Sequence, residues 1–286
     1  MAPETLAARL DGPETRCVGS PGAWALCVDQ PWDSDVLGVP CRAVLTLLWE
    51  PGTPHGMLAD TVDSLVQEAR RDGIGFMSVR LAWPCLPLVP LFESRGWRLA
   101  DTLMTFLDQP GTASEKARNL ADQVPGMVLR PMEAGDLDAV AGLASVALRG
   151  GRIDTDAAIG PDRKERFRRM LGRSFAERAL GGDGFARIAE ADGRLAGFTI
   201  ATRDAVTSET TRRPHGHLSL IAVEPALRRG GTGRCLLADF RRQAATAFDT
   251  VEISTQVTNR PAIGLYLRAG LRLAGGLHTL HWHADS

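Results

Sequence analysis

The chain has one tyrosine, Tyr266, and two lysines, Lys116 and Lys164, against 31 arginines. It has almost no net charge: 33 basic and 34 acidic residues leave a formal charge of -1. A general nucleic-acid binder carries a basic excess or a basic face, so the charge gives that class no support, and the arginine bias reads as a compositional habit. The five cysteines, Cys17, Cys27, Cys41, Cys85 and Cys235, include no C-x-x-C pair, which excludes a zinc or redox framework and points to reduced thiols. No segment reaches the ~20 consecutive apolar residues of a membrane helix. The opening MAPETLAARLDG holds acidic residues and no apolar centre, so no secretory leader is expected. These absences point to a cytoplasmic protein.

What is present suffices for two domains of ordinary size: 286 residues, 44% of them apolar. The polar, small-residue stretch GTASEKARNLADQVPG lacks apolar periodicity and reads as a linker over residues 110–126. It divides the chain into an N-terminal domain, 1–109, and a C-terminal domain, 127–286. In the latter, MVLRP predicts a strand and a capped helix is predicted from near Asp136, with Leu137, Val140 and Leu143 at helical spacing. PDRKERFRRMLGRSFAERAL predicts an amphipathic helix, with Phe167, Met170, Leu171 and Phe175 on one face and arginines on the other. FARIAEADGRLAGFTIAT predicts a hairpin about Asp-Gly. The strand LSLIAV, a helix over about 233–247, the strand TVEISTQV, a helix from near Arg260 and a last strand GLHTLHWH complete a mixed α/β domain. An internal echo accompanies it: LFESRGWRLADTL, Leu91 to Leu103, aligns without a gap on LYLRAGLRLAGGL, Leu265 to Leu277. Two copies of one domain type would account for the match. The left copy has Phe92 in place of Tyr266 and no counterpart of RRGGTGR.

LRRGGTGR, at Leu227 to Arg234, joins a predicted strand to a predicted helix. It lacks the G-K-[ST] of a Walker loop and the G-x-G-x-x-G of a dinucleotide turn. What remains is R-x-x-G-x-G, Arg228, Gly231 and Gly233. Residues without a β-carbon let successive backbone N–H groups converge on an anion at a helix start, and a pyrophosphate suits that arrangement.

Val223 and Pro225, then the Arg228 loop, then Asn259, Ala262, Tyr266 and Gly270 follow in register. That combination resembles the GNAT superfamily of acetyl-CoA-dependent N-acyltransferases, whose pattern joins V-x-P, [QR]-x-x-G-x-[GA] and N-x-x-A-x-x-x-Y-x-x-x-G. The resemblance runs from about Val128 to His283. It implies a mixed sheet splayed open at its fourth strand and a truncated GNAT-like N-terminal domain. It further implies that Arg228, Arg229, Gly230, Gly231, Thr232, Gly233 and Arg234 hold the CoA pyrophosphate. Ile221, Ala222 and Val223 would pair with pantetheine, Asn259 would bond to the cofactor arm, and Tyr266 would be the general acid. A phenol beside the sulfur can protonate the departing thiolate.

Within the superfamily, PWDSDVLGVPCRAV, HLSLIAVEPALRRGGTG and the closing ISTQVTNRPAIGLYLRAGLRLAGGLHTLHW are similar to the TDP-fucosamine acetyltransferases, the first as an opening strand. The resemblance implies, as acceptor, the amino group of a nucleotide-linked amino-deoxysugar. A departure is GRID, with Ile153 and Asp154 where aromatics would sit beside Arg152, which borders the acceptor pocket. His217 and Ser219, at alternate positions with Ile221, are candidates to handle the amine proton, with His215 and Glu224 nearby. Cys235 reads as helix packing. His278, His281 and His283 share one strand without carboxylates or cysteines converging on them in sequence, so no metal is expected. The reading is thus an enzyme acting on a small-molecule amine with acetyl-CoA and no membrane partner, possible as a homodimer. An aminoacyl-tRNA or carrier-protein donor, met by Arg163, Arg166, Arg168, Arg169 and Arg173, is the alternative.

Overall fold

The computed structural model describes residues 15–110 and 124–284; the opening dodecapeptide and most of the expected linker lie outside the described residues. The fold is mixed α/β and falls into two compact units. Unit 1 comprises the described residues of Met1–Leu103 with Thr155–Ile159 and Gly276–Ser286; unit 2 comprises those of Met104–Asp154 and Gly160–Gly275.

In unit 1, β1 (Arg16–Ser20), β2 (Ala23–Asp29) and β3 (Cys41–Trp49) run antiparallel in turn. The segment Pro31–Leu37, expected as part of an opening strand, is instead helix α1. Proline at its first turn fits the fixed φ of a helix start, and Gly38 in the left-handed region ends it. Helix α2 (His55–Arg71) follows β3 and returns the chain to β4 (Phe76–Ala82), parallel to β3. Its apolar stripe Leu58, Val62, Leu65, Val66 and Ala69 is buried over Val44, Met77 and Val79. The short helix α3 (Val89–Glu93) then leads into β5 (Arg98–Asp108), whose last residues belong to unit 2. The final strand, β11 (Arg272–His283), begins in unit 2 and ends in unit 1, antiparallel to β4.

Unit 2 opens on β6 (Met127–Pro131), a 3-10 turn at Ala134–Asp136 and α4 (Leu137–Ala147). Glu133 and Asp136 cap the start of this region reciprocally. Helices α5 (Arg152–Thr155) and α6 (Pro161–Leu180) precede the hairpin β7 (Gly184–Ala191) and β8 (Arg194–Arg203). Asp192 and Gly193 both take positive φ, which the sequence Asp-Gly favours in such a turn. Helix α7 (Ala205–Thr211) was not expected; its signal was Asp204, whose side chain accepts a hydrogen bond from Thr207 N. Strand β9 (His215–Val223), α8 (Thr232–Ala247), β10 (Thr250–Gln256) and α9 (Arg260–Arg268) complete the unit.

Two departures in this sheet set up the site. Parallel pairing of β10 with β9 covers only Thr250 to Glu252 against His215 to His217, after which β9 runs on to Val223 without it. The register between β8 and β9 also slips, since Ala201 pairs with Leu218 but Ile200 with Leu220. Ser219 is therefore a bulge. Leu218 faces the cluster of Leu237 and Phe240 from α8, whereas Leu220 and Ala222 face α4 and α6 through Val140, Leu143 and Ala176. Buried ion pairs fasten α8 to its neighbours. The Arg241 guanidinium holds Asp108 through Nε at 2.7 Å and Nη2 at 2.8 Å, and Arg187 holds Asp239 at 2.7 Å.

Candidate active site

The glycine loop sits between the free end of β9 and α8. Arg229 has φ +67° and Gly231 φ +99°, so the chain turns twice through the left-handed region before the helix starts. A β-carbon at Gly231 would lie 3.2 Å from Val124 Cγ2. The Gly231 carbonyl accepts from Arg234 N and Cys235 N, closing the first helical turn. The backbone N–H groups of Arg229 to Gly233 meet no acceptor among the described residues. Behind them lies the positive end of a sixteen-residue helix, an arrangement that favours an anion. Arg228 does not face those groups; its guanidinium donates to Val223 O at 3.3 Å and Ala147 O at 3.4 Å, tying the loop to β9 and α4. Thr232 and Cys235 are buried, Cys235 as the packing residue expected.

Asn259 is the N-cap of α9: its Oδ1 accepts from Ala262 N at 3.4 Å and its Nδ2 donates to Thr255 Oγ1 at 3.0 Å. Gly270, at φ +83°, ends the same helix, with Leu271 N bonded to Tyr266 O. Asn, Ala and Gly of the sequence pattern are thus the punctuation of the helix that presents Tyr266. Tyr266 itself is 2% exposed, its ring edge-to-face with Phe106 at 5.5 Å. Ile221 packs against the same cluster. Burial pushes the phenol above its ordinary value of 10, so it holds its proton at neutral pH.

His217 hydrogen-bonds through Nε2 to Asp204 Oδ2 at 3.1 Å, with Glu252 Oε1 4.0 Å from its other ring nitrogen. Asp204 is held below the ordinary carboxylate range, against the effect of its own burial, by hydrogen bonds from Thr207 and by His217. His215, by contrast, is buried, and burial lowers its pKa. The sequence put His217, Ser219 and Ile221 on one face; the bulge at Ser219 breaks that alternation, and His217 falls on the opposite face from Ile221. The Ser219 hydroxyl lies 2.7 Å from that of Thr202. Asp204, His215 and His217 are close enough to offer three ligand atoms to a cation. Sequence reasoning named both histidines and missed Asp204, which reaches them only through the α7 turn.

The residues expected to border an acceptor, and the arginines of α6, make contacts within the fold. Arg152 lies over the Phe167 ring, Ile153 is buried, and Asp154 pairs with Arg168 while accepting from Gly150 N. Arg168, expected on the arginine face of this helix, is buried and also donates to Ser145 O. Arg173 pairs with Asp138 and Glu177.

Residues 152–271 match the model of the acetyltransferase (GNAT) family, 120 positions that contain the loop, His217, Asn259 and Tyr266. No curated protein sequence matches the chain. Among solved structures, a GCN5-related N-acetyltransferase from Sphaerobacter thermophilus superposes with a TM-score of 0.62 at 16% identity, covering 96% of this chain and 81% of that one. A tandem GNAT protein from the clavulanic acid biosynthesis pathway gives 0.57 at 16%, covering 96% and 85%. A GCN5-related N-acetyltransferase from Kribbella flavida gives 0.58 at 14%, covering 97% and 92%. At these identities the likeness concerns the fold.

Proposed function

We propose that this chain, whose residues 152–271 match the model of the acetyltransferase (GNAT) family, transfers an acetyl group from acetyl-CoA to a primary amine. The observation that carries the reading is the parting of β9 from β10 beyond His217, directly before the glycine loop. An unpaired strand edge offers alternating N–H and C=O groups to the amides of a pantetheine arm. The anion cradle of Arg229 to Arg234 suits the pyrophosphate at the other end. The fit extends to Gly231, where positive φ disfavours any side chain.

Acetyl-CoA supplies an acyl group activated as a thioester. In the reaction, the amine nitrogen bonds to the thioester carbonyl carbon and the carbon–sulfur bond breaks. His217 takes the proton that the nitrogen loses, and Asp204 fixes its ring and stabilises the imidazolium. Tyr266 gives its phenolic proton to the sulfur. The groups are a partly exposed imidazole beside a carboxylate held ionised, and a buried phenol that keeps its proton.

The acceptor we infer is the amino group of a nucleotide-linked amino-deoxysugar, a reading supported by the sequence resemblance of the opening, loop and closing segments. An aminoacyl-tRNA or carrier-protein donor would need the arginine face of α6, and its Arg168 and Arg173 are already paired. We also read unit 1 as a truncated relative of unit 2. Its order β3, α2, β4, α3, β5 repeats β9, α8, β10, α9, β11, with β3 and β4 parallel as β9 and β10 are. Calorimetric titration with acetyl-CoA, followed by mass spectrometry of incubations with amino-sugar nucleotides, tests the proposal. Saturable binding with a product 42 mass units heavier, roughly one acetyl group in place of a proton, is expected. Failure to bind acetyl-CoA would overturn it.

A further inference from the structure

Histidines at 281 and 283 on β11 gave no reason to expect a metal, because no set of carboxylates or cysteines converges on them in sequence. The fold supplies one from 125 residues away: Asp156, in the segment Thr155–Ile159 that belongs to unit 1. Asp156 Oδ2 lies 2.6 Å from His281 Nδ1 and 2.9 Å from His283 Nε2. The antiparallel register of β11 on β4 runs without a slip from Leu277 to His283, so His281 and His283 project to one face. His278, which was grouped with them, projects to the other and meets Thr102 Oγ1 at 3.2 Å.

The surroundings resemble those of a metal centre. The second carboxylate oxygen, Oδ1, accepts from Ala158 N at 2.9 Å, which fixes the orientation in which Oδ2 meets the imidazoles. The edges of Phe76 close against both rings at centroid distances of 4.7 and 5.2 Å. His281 is 2% and Asp156 9% exposed at the side chain, while His283, at 22%, leaves a path to solvent.

We propose that Asp156, His281 and His283 form a divalent zinc site, with two imidazole nitrogens, one carboxylate oxygen and a fourth position open to water. Two imidazoles and one carboxylate are a ligand set that first-row divalent ions favour over Mg²⁺ or Ca²⁺. Around zinc at about 2.0–2.1 Å from each donor, tetrahedral geometry separates donor atoms by about 3.3 Å. Each histidine nitrogen therefore retreats from Asp156 Oδ2 by about half an ångström, a side-chain adjustment. The bound ion would replace the two N–H···O contacts with coordinate bonds and tie residues 155–159 to β11. Its ligands are distinct from the acetyl-transfer residues, and it does not depend on that reading.

The test uses the full chain freed of metal with chelator and titrated with Zn²⁺, then with Co²⁺ as a spectroscopic reporter. One equivalent of zinc per chain, a visible band of four-coordinate cobalt, and a rise in thermal midpoint with zinc concentration are expected. Asp156→Asn and His283→Gln should each weaken binding by roughly 100-fold or more, since even supporting residues of metal sites contribute 10–100-fold. Both positions admit these replacements with little change of shape, and circular dichroism verifies folding. Absence of stoichiometric binding by the wild-type chain would overturn the proposal, leaving Asp156 as a hydrogen-bonded tie. Undiminished binding in the Asp156→Asn, His283→Gln double variant would also overturn it, by placing the metal elsewhere.

Discussion

Tyr266→Phe removes one oxygen and keeps the ring that packs on Phe106. The phenol lies in the apolar cluster of Leu237, Phe240, Val251, Ile253 and Leu271, so the substitution should alter unfolding free energy by less than about 1 kcal/mol. Its effect on catalysis should be far larger. Loss of a positioned acid lowers turnover by about 10²–10⁴, equivalent to about 3–5 kcal/mol of barrier. The assay is steady-state acetyl transfer monitored by release of free thiol. Because the oxygen acts in the transition state, kcat should fall and the dissociation constant for acetyl-CoA should hold. A second signature comes from titration. Burial raises the folded-state pKa of this phenol above 10. Stability linked to it is therefore fully present below about pH 10 and is lost as pH rises above that value, where the unfolded chain ionises and the folded one resists. Wild-type stability should fall through that alkaline range more than the stability of Tyr266→Phe. Turnover unchanged in the variant would refute the assignment of Tyr266 as the acid.

Three other outcomes follow from the geometry. His217→Ala should lower kcat by about 10²–10⁴ near neutral pH, and Asp204→Asn by less, because Asp204 acts through the imidazole; equal rates in wild type and His217→Ala would remove the base. Gly231→Ala and Gly231→Asp both force a β-carbon onto a φ of +99°, at about 1–3 kcal/mol, readable as a common loss in thermal midpoint. Only the aspartate adds a negative charge to the anion cradle, so acetyl-CoA should bind Gly231→Asp at least about tenfold more weakly than Gly231→Ala; equal affinities would place the pyrophosphate elsewhere. Arg241→Met leaves Asp108, 5% exposed, without its guanidinium, and urea unfolding should register a loss of about 3–5 kcal/mol.

The elements readable in advance were those whose signals are local. Asp192-Gly193 specifies its own turn, Pro161 and Gly160 mark the start of α6, and the apolar stripe of α8 follows from its spacing. Pro31–Leu37 misled because three residues shared with a resembling family were given that family's strand, while the proline at N1 and Gly38 beyond the end already described a helix. The arginines of α6 misled for another reason. Charge alone assigns a residue to solvent, but Arg168 meets Asp154 and Ser145 O, partners supplied by a segment fourteen to twenty-three residues earlier.

The same division runs through the site. The glycine loop and Tyr266 were legible because their requirements, positive φ and a phenol at fixed spacing from a helix cap, are written in consecutive residues. The face that His217 takes was not, since nothing near Leu218 to Leu220 announces that Ser219 is a bulge. Without the bulge, His217 would share a face with Ile221; with it, His217 turns toward the side of Leu220 and Ala222, and Asp204 meets it from the α7 turn. A base and an acid on opposite faces of one strand seem at first to work against a single transfer. The parting of β9 from β10 resolves this, because beyond His217 the strand no longer separates two faces of a continuous sheet. On the proposed mechanism a thioester would lie along that open edge, with Tyr266 approaching from one side and His217, through the amine, from the other. The bulge and the splay would then act together, and restoring regular pairing at Ser219 should abolish transfer while leaving the glycine loop able to bind the donor.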